Sequence, residues 1–538
     1  MIHSIGVHLR ASVTVSGDFA FINNRRFKIK PSPRACDYVT GDYRVRFTCP
    51  EDVKKSHNLY FGPCFGNDAV VYTKDNLGIG VGLERLTCVR KPEEPGFDNY
   101  LWSNQKIFCD SLYAKKIVSL WRSLYLGYAT LEIYEDRLRA HALDKTHDKY
   151  ELRRNALIDM YNHGGIYTSR GVGFNSAKMK PGEDAKARKK TRMIADLETS
   201  SSLVAGFIMD DLKTALDVDQ HYVVNGFSVV VRFFKQTTYN SLSLAFHRLL
   251  EEFCEDIECD YFFAIFSDDM CVRGPDGFMA NLDISQCDAS HGDELFSLLR
   301  SVIDVGWYDG PVADVFAQCK RPLTVWDTTH TQRVILTPLH HTLFSGSTLT
   351  TILNTLASTL ICVGIVSACG HCPTSDLIML GAERVGYIVT VDLCPTYHHL
   401  QFLKHSPCVD ENGVLVPVLN LGVILRSFGR YKGTVLPKPH NYWTFNSALV
   451  RGFEHAGDHS LTMYLRERFC ADVRAYCDRY FRMDSHGGFV NDEEICQRYG
   501  ITVADFNTML ELHSCAGDGD VVWCHAADCI FKKDYGYG

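Results

Sequence analysis

The stretch from Tyr261 to Asp288, YFFAIFSDDMCVRGPDGFMANLDISQCD, constrains the fold more tightly than any other part of the chain. Six apolar residues, Tyr261 to Phe266, read as a buried strand, Ser267-Asp268-Asp269 interrupts them, and Met270 to Val272 is apolar again. This pattern predicts a strand, a tight turn and a returning strand, with two carboxylates at the tip. Gly274-Pro275-Asp276-Gly277 predicts a second turn, and Phe278 to Ile284 a further strand with Asp283 near its end. Asp288 follows five positions later. Aspartate is disfavoured inside strands, and like charges placed together repel. Such a cluster persists where something neutralises it. A pair of divalent cations does so, and oxygen-only ligands suit Mg²⁺ or Mn²⁺. The plainer reading is a surface hairpin with acidic turn residues. Asp210-Asp211 is another acidic pair, in a helical pattern, and reads as a solvated face.

A second feature lies downstream. FSGSTLTTILNT (344–355) sets Ser345-Gly346, Thr350 and Asn354 in an S-G-x₃-T-x₃-N spacing. A glycine loop runs into a helix, and Thr350 and Asn354, four apart, share one face of it. The helix continues through the most apolar part of the chain, Leu353 to Cys369. That run is shorter than the ~20 residues of a membrane span and contains Asn354, so it reads as a buried core helix, with membrane contact as the alternative.

Charge and cysteine usage narrow the class. Lys and Arg number 56 against 64 Asp and Glu in 538 residues, a net charge of −8, so a generally basic coat is excluded while a local basic channel is not. One dense basic run exists: KMKPGEDAKARKKTR (178–192) holds seven Lys/Arg against Glu183 and Asp184. It is either a solvated loop or a phosphate-binding element. The 21 cysteines in a chain of this length do not make a small disulfide scaffold, and the first residues lack a signal peptide's apolar core, so the thiols read as reduced and cytosolic.

Taken together, these motifs resemble the palm motifs of viral RNA-dependent RNA polymerases. NLDISQCD (281–288) looks like motif A, S-G-x₃-T-x₃-N like motif B, and FSDDM (266–270) like motif C with Ser267 in place of the more frequent glycine. Residues 374–390 resemble motif D, with a helix over 374–385 and then Gly386 and a strand. Phe402-Leu403-Lys404 resembles the core of motif E. Lys190-Thr191-Arg192-Met193-Ile194 resembles the K-x-R-x-I of motif F, and Thr168 to Gly171 is a weaker match to motif G. The order is unusual, because the SDD precedes motif A by 14 residues and no acidic hairpin follows motif B. The chain therefore resembles the permuted, C-A-B polymerases of birnaviruses and permutotetraviruses. Neighbouring strands can be reconnected through surface loops without disturbing a packed core, so the permutation is physically plausible.

The resemblance covers roughly 165–407 and implies an α+β right-hand fold, with fingers, palm and thumb and an antiparallel palm sheet flanked by helices. The expected division is 1–160 (N-terminal region and fingers), 161–260 (fingers with motif F), 261–407 (palm, motifs C, A, B, D, E), 408–485 (thumb) and 486–538 (a C-terminal helical module). The implied activity is template-directed RNA synthesis from ribonucleoside triphosphates, with Mg²⁺ or Mn²⁺ as cofactor. Asp283 and Asp268 would be the main metal ligands and Asp269 a weaker one. Lys190 and Arg192 would hold the triphosphate, and Asp288 and Asn354 would read the ribose 2′-OH. Ser345 and Thr350 would complete the nucleotide site. Gly346 would lie under the templating base, and Lys404 against the primer strand. RNA template, nascent RNA, ribonucleotides and other viral replication proteins would be the partners, in the host cytoplasm or with the virion. No lysine lies in 374–390, so Arg384, His398 and His399 stand in as candidate general acids. The rival readings are a reverse transcriptase-like palm enzyme and a non-catalytic nucleic-acid-binding or capsid-type protein.

Three further expectations concern the flanks. After Pro407 the pattern reads as helical. Asp492 to Leu512 reads as a helix-turn-helix, either template-contacting or simply packed, with the first helix ending at Tyr499-Gly500 and Thr502 capping the second. Cys369, His371 and Cys372, and separately His513, Cys515, Cys524, His525 and Cys529, are residue types that bind zinc, with buried or adventitious thiols as the alternative.

Overall fold

The computed structural model describes seven short strands between residues 13 and 65, then residues 100–127, 175–179, 193–197, 199–250, 252, 259–304, 309–326, 333–338, 340–427, 430–433, 457–470, 487–516, 521–522 and 524–535. Within them the protein is a mixture of helix and mostly antiparallel sheet. The apolar runs at 69–73 and 77–88, which read in sequence as strands, the motif G match and the basic run from Lys180 to Arg192 lie outside the described residues.

The central sheet has six strands in sequential order: β1 (Asp219–Val224), β2 (Phe227–Phe233), β3 (Tyr261–Phe266), β4 (Asp269–Arg273), β5 (Met279–Ile284) and β6 (Val389–Leu393). Every neighbouring pair is antiparallel except β2 with β3, which run parallel. The strands alternate two apolar faces, which explains why the sheet is buried on both sides. Tyr261, Phe263, Ile265, Met270, Val272, Ala280, Leu282 and Ile284 enter one core, while Phe262, Ala264 and Cys271 enter the other.

Helices cover both faces. The first core is built with α1 (Tyr100–Cys109), α2 (Leu112–Leu126), α3 (Thr199–Leu216), α5 (Asp293–Ile303), α6 (Thr350–Cys369) and α7 (Ser375–Val385); the second is closed by α4 (Tyr239–Leu249). Among the described residues α6 is the one helix long and apolar enough to cross a membrane, yet 89% of that apolar window is buried inside the fold. It is a core helix, wrapped by protein on nearly every side. Gly364 and Gly381 let α6 and α7 approach closely, since a Cβ at Gly381 would stand 2.6 Å from the Ile365 Cα.

The sequence reading needs three corrections. Residues 288–303, which read in sequence as one helix, are broken: a short turn, Cys287–Ser290, stops at His291-Gly292 before α5 begins. The helical pattern expected after Pro407 begins only at Leu421–Ser427; before it the chain forms a β-hairpin, β7 (His405–Val409) with β8 (Leu415–Leu419), a short two-stranded ribbon that tolerates Pro407 opposite Pro417. Asp211, expected on a solvated face, is 3% exposed. The helix-turn-helix elements lie where their caps place them. Gly500 takes φ +61 after α8 (Asp492–Tyr499), and Thr502 and Asp505 form a reciprocal capping box for α9 (Val503–Cys515). With α10 (His525–Tyr535) these helices build a separate core around Phe65, Phe506 and Ile530.

A second six-stranded sheet joins Cys36–Thr40, Tyr43–Thr48, Arg333–Pro338, Leu323–Trp326, Asn175–Met179 and Met193–Asp196. Its edge strand, Met193–Asp196, reaches the central site through Ala195, whose N–H donates to the Ser345 carbonyl at 2.7 Å.

Candidate active site

β3 and β4 are joined by the two-residue turn Ser267-Asp268. Ser267 has φ +57, a left-handed angle that glycine adopts without cost and serine does not. The surroundings hold it there. Its N–H donates to Thr355 Oγ1 at 3.1 Å, its carbonyl accepts from Ser358 Oγ at 2.6 Å, and its hydroxyl accepts from Asn354 Nδ2 at 3.1 Å. All three partners lie on α6, so the turn is fixed by the helix that follows the Ser345-Gly346 loop.

Register then sets the carboxylates. Asp269 at the start of β4 pairs directly with Asp283 on β5, and Asp283 pairs with Thr390 on β6. Directly opposed residues hold their Cβ atoms about 4.5–5.5 Å apart on one face. Asp268 sits in the turn beside them. Asp268 and Asp269 are half-buried and Asp283 is exposed. Beneath lies Cys287, whose thiol is held well above its usual range, first by burial and then by the negative charges of Asp268, Asp288 and Asp283. Three carboxylates from two segments thus act electrostatically on one buried thiol.

Asp288 reaches this place because the chain turns sharply after β5. Gln286 adopts φ +48, and the short helical turn that follows carries Asp288 back toward α6. Its Oδ1 accepts from Asn354 Nδ2 at 2.8 Å, and its Oδ2 accepts a short hydrogen bond from the Ser345 hydroxyl. Asn354 is 2% exposed, and its Oδ1 faces His291 Nε2 at 2.6 Å. The loop geometry depends on Gly346, which has φ +105 and would, with a Cβ, meet the Ala195 carbonyl oxygen at 2.5 Å. Thr350 opens α6 half-buried, and its hydroxyl donates to the Phe344 carbonyl at 3.4 Å, inside the loop.

The structure therefore brings Asp268, Asp269, Asp283, Asp288, Ser345, Gly346, Thr350 and Asn354 around one end of the central sheet. Lys190 and Arg192 lie outside the described residues; Ala195, three positions after Arg192, is docked against Ser345 and Gly346. Lys404 is exposed on a different turn. Phe402 and His405 exchange backbone hydrogen bonds at 2.9 and 3.0 Å across Leu403 and Lys404, both at positive φ (+52 and +66). Two successive left-handed residues are the pattern of a type I′ hairpin, unusual without glycine or asparagine. The Lys404 ammonium stands 5.8 Å from the Tyr535 ring centroid. Arg384 is exposed on α7, His398 is paired with Glu494 at 3.0 Å, and the imidazole of His399 is held below its usual pKa by burial and by Lys533 and Arg498.

The donor set suits a hard cation, being all carboxylate oxygen. Among the described residues no three His, Cys, Asp or Glu side chains form a ready metal cage. Mg²⁺ does not need one, since it is commonly held by one or two carboxylates together with substrate phosphates and water. The same absence covers the described part of the C-terminal Cys/His cluster. There His513 is buried, stacked on Phe65 at 4.1 Å, and its Nδ1 lies 2.7 Å from the Tyr464 hydroxyl.

Sequence reading missed His291, Tyr387 and Gln105, which surround Asn354 and the Asp288 turn. Each is an ordinary residue in its own segment, and only their meeting in space marks them.

No protein-family model and no curated protein matches the chain. The solved structures that show a partial likeness include the following two. The RNA polymerase VP1 from Infectious Pancreatic Necrosis Virus is 15% identical, with a TM-score of 0.38 over 54% of this chain and 43% of that one. The birnavirus VP1-VP3 complex is 14% identical, with a TM-score of 0.34 over 61% and 46%. The chain spans less than half the length of either. The functional reading rests on the side chains of this chain.

Proposed function

We propose that this chain is an RNA-dependent RNA polymerase with palm motifs in C-A-B order, joining ribonucleotides to an RNA 3′-OH. One observation carries the reading: Asp269 and Asp283 oppose one another in adjacent strands, with Asp268 in the turn above them and the Ser345–Asp288–Asn354 chain of hydrogen bonds tied to that turn through Ser267. Chain order matters little to such a site, because β4 and β5 are neighbours in the sheet whichever is made first.

Asp268 and Asp283 would hold the divalent cations, with Asp269 more remote. When bound, two such ions activate the attacking hydroxyl and stabilise charge on the leaving oxygen. Asp288, oriented by Ser345 and Asn354, is an acceptor for the ribose 2′-OH, the group that separates RNA from DNA precursors. Gly346 lets the loop lie flat against Ala195, beneath the templating base. Lys190 and Arg192 would hold the triphosphate by charge-assisted hydrogen bonds, Thr350 would brace the nucleotide loop, and Lys404 would meet the primer strand. The central sheet would then be the palm, the sheet ending at Met193–Asp196 part of the fingers, and the helices beyond β8 thumb and accessory module.

The test is primer extension on homopolymeric RNA with Mg²⁺ or Mn²⁺, scoring rNTP against dNTP. Incorporation selective for rNTP and dependent on the metal supports the reading. A preference for dNTP would move the chain to the reverse transcriptases, and nucleic-acid binding without incorporation would make it a non-catalytic protein.

A further inference from the structure

Asn354 can serve a ribose-reading carboxylate only if its amide points the right way. Asp288 accepts hydrogen bonds at both oxygens, so Asn354 must present Nδ2 to it, and the second Nδ2 hydrogen goes to the Ser267 hydroxyl. The amide oxygen then faces inward, where a donor is required. His291 Nε2 lies there at 2.6 Å. An amide oxygen only accepts, so Nε2 carries the proton. The other ring nitrogen, Nδ1, stands 2.9 Å from the Tyr387 hydroxyl, which donates to it in the neutral imidazole. His291 and Tyr387 are both fully buried.

The ring itself is clamped from behind. Gln105 on α1 is 1% exposed; its Nε2 donates to the Ser290 carbonyl at 3.1 Å, and its Oε1 accepts from the Gly292 N–H at 2.7 Å. One side chain therefore grips the backbone on each side of His291. Tyr387 is fixed by Gly386 before it, at φ +93, where a Cβ would stand 2.3 Å from the Leu101 carbonyl oxygen. Four separate segments, at 105, 290–292, 354 and 386–387, thus converge to hold one amide.

We propose that His291 is a positioning residue for sugar selection: its Nε2–H, with the tautomer set by the Tyr387 hydroxyl, locks the Asn354 amide so that Asp288 is presented to the ribose 2′-OH. The inference rests on the polymerase reading above. A locked amide costs the incoming nucleotide no reorganisation, whereas an amide free to flip would turn a carbonyl toward Asp288 and push the carboxylate away.

The experiment compares the full chain with His291→Phe, His291→Gln and Tyr387→Phe, measuring kcat/KM for rNTP and for dNTP on the same RNA primer–template, with melting temperatures alongside. Phe keeps the ring and removes the donor. Gln keeps an N–H near the Nε2 position. His291→Phe is expected to lower the rNTP value by about 5- to 150-fold with little change for dNTP. His291→Gln should retain the wild-type ratio within about threefold, and Tyr387→Phe should lower it less than Phe at 291 does. A purely structural residue would lower both substrates in parallel, so a parallel fall, or an unchanged ratio in folded His291→Phe, overturns the inference. Should His291→Phe fail to fold, Tyr387→Phe decides, and an unchanged ratio there overturns it equally. A wild-type chain that incorporates no nucleotide overturns the polymerase reading and this inference with it, whereas a selective wild type beside an equally selective His291→Phe overturns the inference alone.

Discussion

Among the described residues, an acidic cluster at the central sheet and a buried ion pair in the C-terminal region are built on opposite terms. At the end of the central sheet, Asp268, Asp269 and Asp283 share one sign, lie at a strand end and a turn, and reach solvent through Asp283. In the C-terminal region, Arg498 and Asp534 form a buried ion pair at 3.1 Å, with side chains 6% and 1% exposed. That pair is saturated. Arg498 also donates to the carbonyls of His398, His399 and Leu400 and to Gln401, and Asp534 accepts from Tyr499 and from the Gly422 N–H. Those bonds tie α8 and α10 to each other, to the segment leading into the Leu403-Lys404 turn and to the helix Leu421–Ser427. The sealed pair holds separate parts of the chain together, since burying charge without partners is prohibitive. In the open cluster, on the proposed reading, a cation and a triphosphate would relieve the repulsion among the carboxylates.

Breaking the sealed pair should have the largest effect. Arg498→Ala leaves Asp534 buried and unpaired, and stability should fall by about 3–5 kcal/mol, read as a shift in urea midpoint. An unchanged midpoint would erase the distinction between the two clusters. Opening the acidic cluster should do the reverse. Asp283→Asn is expected to cut nucleotide incorporation by about 10²–10³-fold, while the melting temperature of the metal-free protein stays level or rises because one repelling charge is gone. A mutant that melts several degrees lower yet still incorporates would end the catalytic assignment.

Asn354→Ala removes the amide between the acidic turn and Asp288, and should lower rNTP/dNTP discrimination by about 5- to 150-fold, corresponding to ~1–3 kcal/mol, with template binding retained. Equal discrimination in mutant and wild type would detach Asn354 from sugar choice. The smallest effect concerns Asp293, at the start of α5. Burial acts to raise its pKa, but hydrogen bonds from the ring and backbone N–H of His341, with the charges of His341 and His340, hold it well below the usual carboxylate range. A depressed carboxylate contributes stability that is fully present above its unfolded pKa of ~3.9 and is lost as pH falls below that value. Being partly exposed, it should contribute at most about 1 kcal/mol. Asp293→Asn should therefore flatten the acid limb of the stability curve below about pH 4 and lower stability slightly at neutral pH. An acid limb identical to wild type would dismiss the pair.

Local pattern in the sequence accounts for the strand–turn–strand at 261–273, the strand ending at Asp283 and Ile284, the helix opening at Thr350, and the caps at Gly386, Gly500 and Thr502. Each depends on residues within a few positions: an apolar run broken by turn formers, a glycine able to take positive φ, a side chain able to cap its own helix. The gathering of Asp268, Asp283, Asp288 and Asn354 was approached through motif spacing, but their opposition depends on the ladder between β4 and β5 and on the left-handed turn at Gln286. Only the tertiary structure decided the rest. The break at His291-Gly292, inside an apparent helix, follows from Gln105, some 185 positions earlier, taking up the backbone groups on either side. The hairpin after Lys404 follows from pairing that outweighs local helical pattern. The donor behind Asn354 comes from a histidine whose neighbours in sequence say nothing of its neighbours in space. Short-range preferences are written along the chain; a proton's position on a buried ring is set by whichever distant groups the fold packs around it.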